Sequence, residues 1–246
     1  MKVMEPQEYL RMFDIEDNHW WYTSLHQYLL TTLQSISLPD DVKILDAGCG
    51  TGGLSNKARS MGDLTSIDYS GLAVQLARKR NLTLVQASLN SLPLLNNYYD
   101  AAMCISVLDQ RSVDKEIALN ELRRVLKPNG ALLLVVSAYK SLYSHHDHVV
   151  NTKERFSYKE VTCLVEQQGF ELVKANYIFS FLFPIFLVKR IADRLFPAKY
   201  AISDLSQPVK PINYGLEKIC LLEWKTSTHF PLPFGSSIFI LAQKKS

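Results

Sequence analysis

The chain has 246 residues, 47% of them hydrophobic, with 27 basic against 24 acidic side chains and a net charge of +3. That length buries one sizeable core, so an α/β chain of this size is expected to be one domain with embellishments, and so even a charge balance gives no argument for a nucleic-acid partner. Cys49, Cys104, Cys163 and Cys220 stand far apart without a C-x-x-C pair, which argues against a zinc site or a disulfide framework, and early acids from Glu5 to Asp17 break up any signal-peptide core, so a reducing, cytoplasmic setting is expected.

Residues 1–39 read as helical in two parts, with Tyr9, Leu10, Met12 and Phe13, then Leu25, Tyr28, Leu29 and Leu33, at spacings of three and four. Between them lies His19-Trp20-Trp21-Tyr22, too many aromatics for one face of one helix to bury. Two readings stand: a cap on the core, or a lid that closes over a ligand, excludes water and favours a cation through its rings.

Next comes an apolar run, Val42 to Leu45, that reads as a buried parallel strand; it ends in Asp46 and then in Gly48, Gly50 and Gly52. Glycines at alternate positions permit positive φ and close approach of a ligand, and the helix that follows offers N–H groups and the positive end of its dipole. The dinucleotide fingerprint is G-x-G-x-x-G, whereas this spacing is G-x-G-x-G with a carboxylate just ahead of it. Asp46 would repel a pyrophosphate and suit an ammonium or sulfonium. Asp68, closing the next strand at Asp63–Asp68, is placed to hold two ribose hydroxyls. The implied ligand carries a ribose and a positive charge and lacks phosphate.

At Leu45 to Gly52 the chain resembles the class I S-adenosylmethionine-dependent methyltransferases, whose first motif is commonly LDxGCGxG. The resemblance implies a Rossmann-like, doubly wound, seven-stranded and mostly parallel sheet with its last strand antiparallel, and S-adenosyl-L-methionine as cofactor. It puts Asp46, Gly48, Cys49, Gly50 and Gly52 at the methionine end and Asp68, with Tyr69, at the ribose.

Leu54 to Met61 is expected to be a helix ended by Gly62, and Ser70 to cap the next one. Leu82 to Ala87 is the third strand. The stretch from Ala87 to Pro93 resembles the family's GDAxxLPF, with Ser88 in the place of the acid that contacts adenine, so Ser88 and Leu89 are assigned there. Asp100 to Leu108 is the fourth strand and its exit; Cys104 and Ile105 would floor the cofactor. Asp109 follows, either an active-site carboxylate or a solvated loop acid. Ser112 is expected to cap a helix with Ile117, Ala118, Leu122, Val125 and Leu126 inward, and Lys127-Pro128-Asn129-Gly130 to turn into a fifth strand at Ala131–Val136. The phrase LRRVLKPNGALLLVV is strongly typical of the family.

Beyond that strand, Tyr143-Ser144-His145-His146-Asp147-His148 reads as a histidine–carboxylate base, as a solvated polar loop or, third, as a metal site disfavoured because neighbouring side chains on an extended loop diverge; no metal is predicted. The His146-Asp147 pair, Arg155 and the N-terminal HWWY stretch resemble a bacterial subset of the family, in which Tyr143, Arg155 and the residues His19 to Tyr22 are the candidate substrate and lid contacts. Tyr158 to Gln168 is a further helix, Phe170 to Ala175 a strand, and Ala175 to Val188 an uncharged run too short for a bilayer, which needs about 20 residues. It reads as core or lid packing, or as an apolar face with a basic border, within 177–199, resting on a membrane. Residues 203–213, with Pro208 and Pro211, are expected as loop, Leu216 to Trp224 as helix and Ser237 to Ala242 as the antiparallel strand.

Together these readings predict one domain: residues 1–40 a helical lid, 41–138 the cofactor core, 139–235 a substrate and lid region with the sixth strand, and 236–246 the last strand. The expected activity is methyl transfer to a small molecule or a lipid- or sugar-linked intermediate, by O-methylation with His146 as base, Asp147 orienting it, and His145 and Asp109 in reserve. No nucleic-acid partner is expected, because there is no basic stripe and no added recognition domain. The second class is a cofactor-binding partner subunit without turnover.

Overall fold

Helices α1 (Pro6–Ile15) and α2 (Trp20–Ser35) precede the first strand, β1 (Lys43–Ala47). The computed structural model describes residues 3–195, 206–227 and 231–245. After β1 come α3 (Gly53–Ala58), β2 (Asp63–Asp68), α4 (Gly71–Arg78), β3 (Leu84–Gln86), β4 (Tyr99–Ile105), α5 (Lys115–Val125) and β5 (Leu126–Ser137). The chain continues through α6 (His145–Val149), α7 (Tyr158–Gln167), β6 (Phe170–Ile178), α8 (Phe183–Leu195), α9 (Lys210–Ser227) and β7 (Ser237–Lys244).

The seven strands lie in the order β3-β2-β1-β4-β5-β7-β6. β1 pairs parallel with β2 and β4, β2 with β3, and β4 with β5; β7 runs antiparallel between β5 and β6. Strands buried on both faces read as continuous apolar runs, and β1 and the second half of β5 do. One face packs Leu119, Leu122 and Val125 of α5 and Val161 and Val165 of α7 with the sheet residues Leu132, Leu134 and Ile240. The other packs Leu25, Leu29 and Leu33 of α2 and Trp224 of α9 with Ile44, Met103, Leu133 and Phe239. The two layers make the Rossmann-like, doubly wound fold. Strand order reverses between β1 and β4, and a crevice opens at the carboxyl ends there.

Local chemistry sets the helix starts. Ser70 accepts from Ala73 N, and Ser157 and Glu160 form a capping box for α7. The start of α5 differs from expectation: Asp114, not Ser112, accepts the amides of Glu116 and Ile117. That start sets the helix phase, so Leu119 is buried and Ile117 faces solvent. β5 also begins earlier, at Leu126 opposite Tyr99, and Lys127 to Gly130 form an irregularity within it, with Asn129 left-handed. Pro211 does not hold the chain in a loop; it sits in the first turn of α9, where its missing N–H costs nothing. Of the 203–213 loop, residues 203–205 lie outside the described residues. Among the described residues, no helix is long and apolar enough to cross a membrane.

Candidate active site

The glycine turn is tied to its neighbour strand: the amides of Gly48 and Cys49 both donate to Ile67 O at 2.8 Å. Gly48 has φ +90° and Gly50 φ +54°, and an added Cβ would come within 2.3 Å of Val107 and 2.8 Å of Met12 respectively. Both glycines line a cavity of about 550 Å³ at the carboxyl ends of β1 and β4, a usual size for small-molecule sites. Gly52 serves packing instead, since its Cβ would meet Leu82 and Ala77, and it does not line the cavity.

Two buried carboxylates, Asp46 and Glu16, and the half-buried Asp68 surround the turn. Asp46 accepts from Ser55 Oγ at 2.5 Å, and Ser55 is in turn 2.7 Å from Ser66. Burial pushes its carboxyl up to about 7. Asp68 accepts the amides of Gly50 and Ser70, one on each oxygen at 2.8 Å, and burial lifts it to about 6. Each oxygen keeps a lone pair for a ligand hydroxyl. Glu16, from the end of α1, accepts from Thr51 Oγ1 at 2.5 Å, Gly53 N at 3.2 Å and Arg80 at 2.9 Å, its acidity weakened by burial.

The first amide of α3 is therefore taken by Glu16 rather than offered to a ligand, a correction to the expectation from the glycine turn. Glu16 had one sequence signal, because an acid ending a helix opposes the dipole and so points to a role outside it. Tyr9 and Met12 of α1 also line the cavity and were likewise missed, since their contacts cross from α1 to the far end of β1 and β2.

The opposite wall is aromatic. Trp21 stacks on Phe179 at 5.7 Å and 19°, and Trp20 meets the same ring edge-on at 6.1 Å. Phe179 has φ +59°, a strained conformation for a bulky side chain. Glu223 of α9 holds it, accepting Phe181 N at 2.8 Å with the amides of Phe179 and Ser180 beside it. His19 caps α2 by accepting Trp21 N at 3.2 Å, and burial lowers its proton affinity. Asn213 of α9 clamps the stretch, accepting Trp20 N and donating to Asn18 O. His19 and Tyr22 are buried, and all four residues of the HWWY stretch line the cavity.

The third side holds the loop residues. Asp109 is only 1% exposed, so it is no solvated loop acid; Oδ2 accepts Ser137 N at 3.3 Å, Oδ1 has no hydrogen-bond partner, and burial raises its pKa. His146 lines the cavity from α6. Asp147 has both oxygens engaged, one by Arg155 Nε at 2.9 Å and one by Ser144 N at 2.7 Å and Oγ at 3.1 Å, so its contacts hold α6 in place. His145 is the first residue of α6.

Ser88, Leu89, Cys49, Tyr69 and Ile105 line the cavity, as do Asp147 and Arg155. Cys104 does not: its strand phase turns it into the core between Ala102 and Leu134. Tyr143 also lies away, donating to Thr152 O and accepting from Arg111. No group of three metal-ligating side chains gathers among the described residues. The donor set fits a cationic nucleoside: a Cβ-free cradle, two acceptors at the end of β2 for vicinal hydroxyls, and Asp46 for positive charge.

Comparison with known proteins agrees with this geometry. Residues 45–134 match a family model described as a methyltransferase domain. The uncharacterized protein MJ0638 of Methanocaldococcus jannaschii is 30% identical, over 73% of this chain and 73% of its own length. The uncharacterized methyltransferase YodH of Bacillus subtilis is 29% identical, over 74% of this chain and 77% of its own. Among solved structures, an S-adenosylmethionine-dependent methyltransferase of Thermotoga maritima superposes with a TM-score of 0.62 at 20% identity, covering 97% of this chain and 96% of that one, a likeness of fold.

Proposed function

The chain belongs to the class I S-adenosylmethionine-dependent methyltransferases, and from that premise we propose that it methylates an oxygen of a small molecule or of a lipid- or sugar-linked intermediate. S-adenosyl-L-methionine supplies an electrophilic methyl group on a sulfonium; what this chain's residues contribute is positioning, charge and dryness. The observation that carries the reading is the set of carboxylates around Gly48 and Gly50, Asp46 and Glu16 buried and Asp68 half-buried. Asp46 favours the positive charge of the cofactor, Asp68 holds its ribose, and Ser88 and Leu89 border its base.

The acceptor side is then the space between the Trp20–Trp21–Phe179 wall and the loop carrying Asp109 and His146. Positioning the acceptor oxygen in line with the methyl does most of the work, and a base removes its proton as the bond forms. His146 is the first candidate base. Asp147 and Arg155 position it by fixing α6, and Asp109 is the second base. Within 1–40 and 139–235 the first turn of α2, α6 and α8 border the site, whereas the rest of α2, α7, β6 and α9 pack into the core.

Calorimetry with S-adenosylmethionine, followed by transfer of a tritiated methyl into fractionated extract, tests the reading. Binding with transfer into a small-molecule or lipid fraction is the expected result, and His146→Ala is expected to lower transfer while leaving cofactor affinity within about twofold. Binding without any transfer would favour a partner subunit, and no binding would sink the reading.

A further inference from the structure

Helix α8 half-buries Phe183, Phe186 and Leu187 in the usual way, but it departs from the pattern of a core-packing helix at two places. Arg190 is turned inward, 4% exposed, with its guanidinium 4.6 Å from the ring centre of Phe186 and against the cavity. Ile185, Val188 and Ile191, three apart along one strip, are 66%, 67% and 47% exposed. A buried arginine and an exposed aliphatic strip, with Lys189 exposed beside it, run against the ordinary preference at those positions. Ile185 belongs to both surfaces, because it also lines the cavity. The outer strip is therefore continuous with the cavity wall formed by Trp21, Phe179, Leu182 and Phe186.

Across from that wall the lining is mixed, with the apolar Leu89, Val107 and Val113 beside Asp109, Ser137 and Thr152. The unpartnered Oδ1 of the buried Asp109 is placed to accept a hydrogen bond, beside Ser137. A largely apolar site with a buried carboxylate at one end and an apolar strip leading outward at the other fits a molecule with one polar end and a long apolar one. Resting on the methyltransferase reading above, we infer that the acceptor is a single-chain amphiphile, its hydroxyl at Asp109 and its chain running past Phe186 and Ile185 onto the outer strip of α8. Each methylene moved from water onto this surface multiplies affinity by roughly four.

The test uses the full chain with S-adenosylhomocysteine and, as probes, 1-hexanol, 1-octanol and 1-decanol, followed by calorimetry. The expected result is a Kd that falls about fourfold per methylene across the series. In Ile185→Glu/Val188→Glu, two changes at exposed positions, the gain from octanol to decanol is expected to vanish while S-adenosylhomocysteine affinity stays within about twofold. Asp109→Ala, which removes the acceptor, is expected to weaken all three alkanols by a similar factor, about tenfold for a lost hydrogen bond, without changing the slope.

A flat series, or one with the same slope in wild type and double variant, would overturn the inference and leave the methyltransferase reading standing. Pelleting of wild type with phosphatidylcholine vesicles alongside a flat alkanol series would also overturn it, by assigning the strip to a membrane surface. A steep series in a protein that does not bind S-adenosylhomocysteine would keep the channel and sink the methyltransferase reading instead.

Discussion

The two halves of the cavity are built in different ways. The proposed cofactor half comes mostly from consecutive strand–turn–helix units between β1 and β4, where Asp68 is met by Gly50 and Ser70 and Asp46 by Ser55, with Glu16 brought in from the end of α1. The acceptor half is assembled from distant segments, with Trp20 clamped by Asn213 and Phe179 held through Glu223. The first is a rigid charge trap. The second is an aromatic and aliphatic surface whose shape depends on three helices meeting. The comparison teaches that in this chain cofactor chemistry is local and acceptor chemistry is tertiary, so mutations should separate them.

The largest separation is expected from Asp68→Ala. It removes the acceptors for two backbone amides and for the ribose, interactions worth about 1.5–3 kcal/mol each when a charged group takes part. Cofactor affinity should fall at least about a hundredfold by calorimetry, while the alkanol series keeps its slope. A loss confined to the alkanols would break the comparison.

Acidity gives the next effect. Burial raises Asp46 to about 7 and Asp68 to about 6 in the ligand-free protein, and a cation favours their ionised forms. Cofactor binding should therefore release protons, and affinity should drop up to about tenfold per pH unit between 7 and 6 and up to about a hundredfold per unit below 6, where both carboxyls are protonated. Because both folded-state values lie above the unfolded ones, the contribution of these groups to stability is present below about pH 4 and is lost as pH rises through 6 and 7. The cofactor should then raise the melting temperature most above pH 7. Calorimetry in buffers of different ionisation enthalpy, with melting curves from pH 5 to 8, checks both signs.

Glu223→Ala should act on the other half. It leaves the buried amide of Phe181 unpaired, at about 1–3 kcal/mol, and lowers the melting temperature by roughly 2–12 °C at 2–4 °C per kcal/mol. Alkanol binding should weaken as Phe179 loses its support, with cofactor affinity moving less than about twofold. The smallest effect on ligands is expected from Gly52→Ala. A left-handed backbone at φ +85° and a Cβ 2.7 Å from Leu82 make it costly to stability by about 1–2 kcal/mol, yet cofactor affinity should hold, since this glycine packs and does not line the cavity.

Legibility followed the same division. The glycine turn, Asp46 and Asp68 were readable because their geometry comes from residues close in sequence. Cys104 and Tyr143 were misplaced because strand phase and loop packing, rather than motif position, decide which way a side chain faces. Pro211 suggested a loop by its type, but in the first turn of a helix the same residue is compatible with continuation. Glu16 gave little notice, since its partners Thr51, Gly53 and Arg80 are brought to it by the fold.

By itself the sequence determined the doubly wound sheet, the cofactor class and the acidic glycine turn, because hydrophobic period and glycine spacing act over a few residues and leave few topologies open. Only the tertiary structure decided that Glu16 occupies the first amide of α3, that Phe179 is forced beneath Trp21, and that α8 turns Arg190 inward and Ile185 outward. Those outcomes depend on which distant surfaces meet, and burial and pairing between segments far apart in the chain are properties that no local pattern of residues encodes.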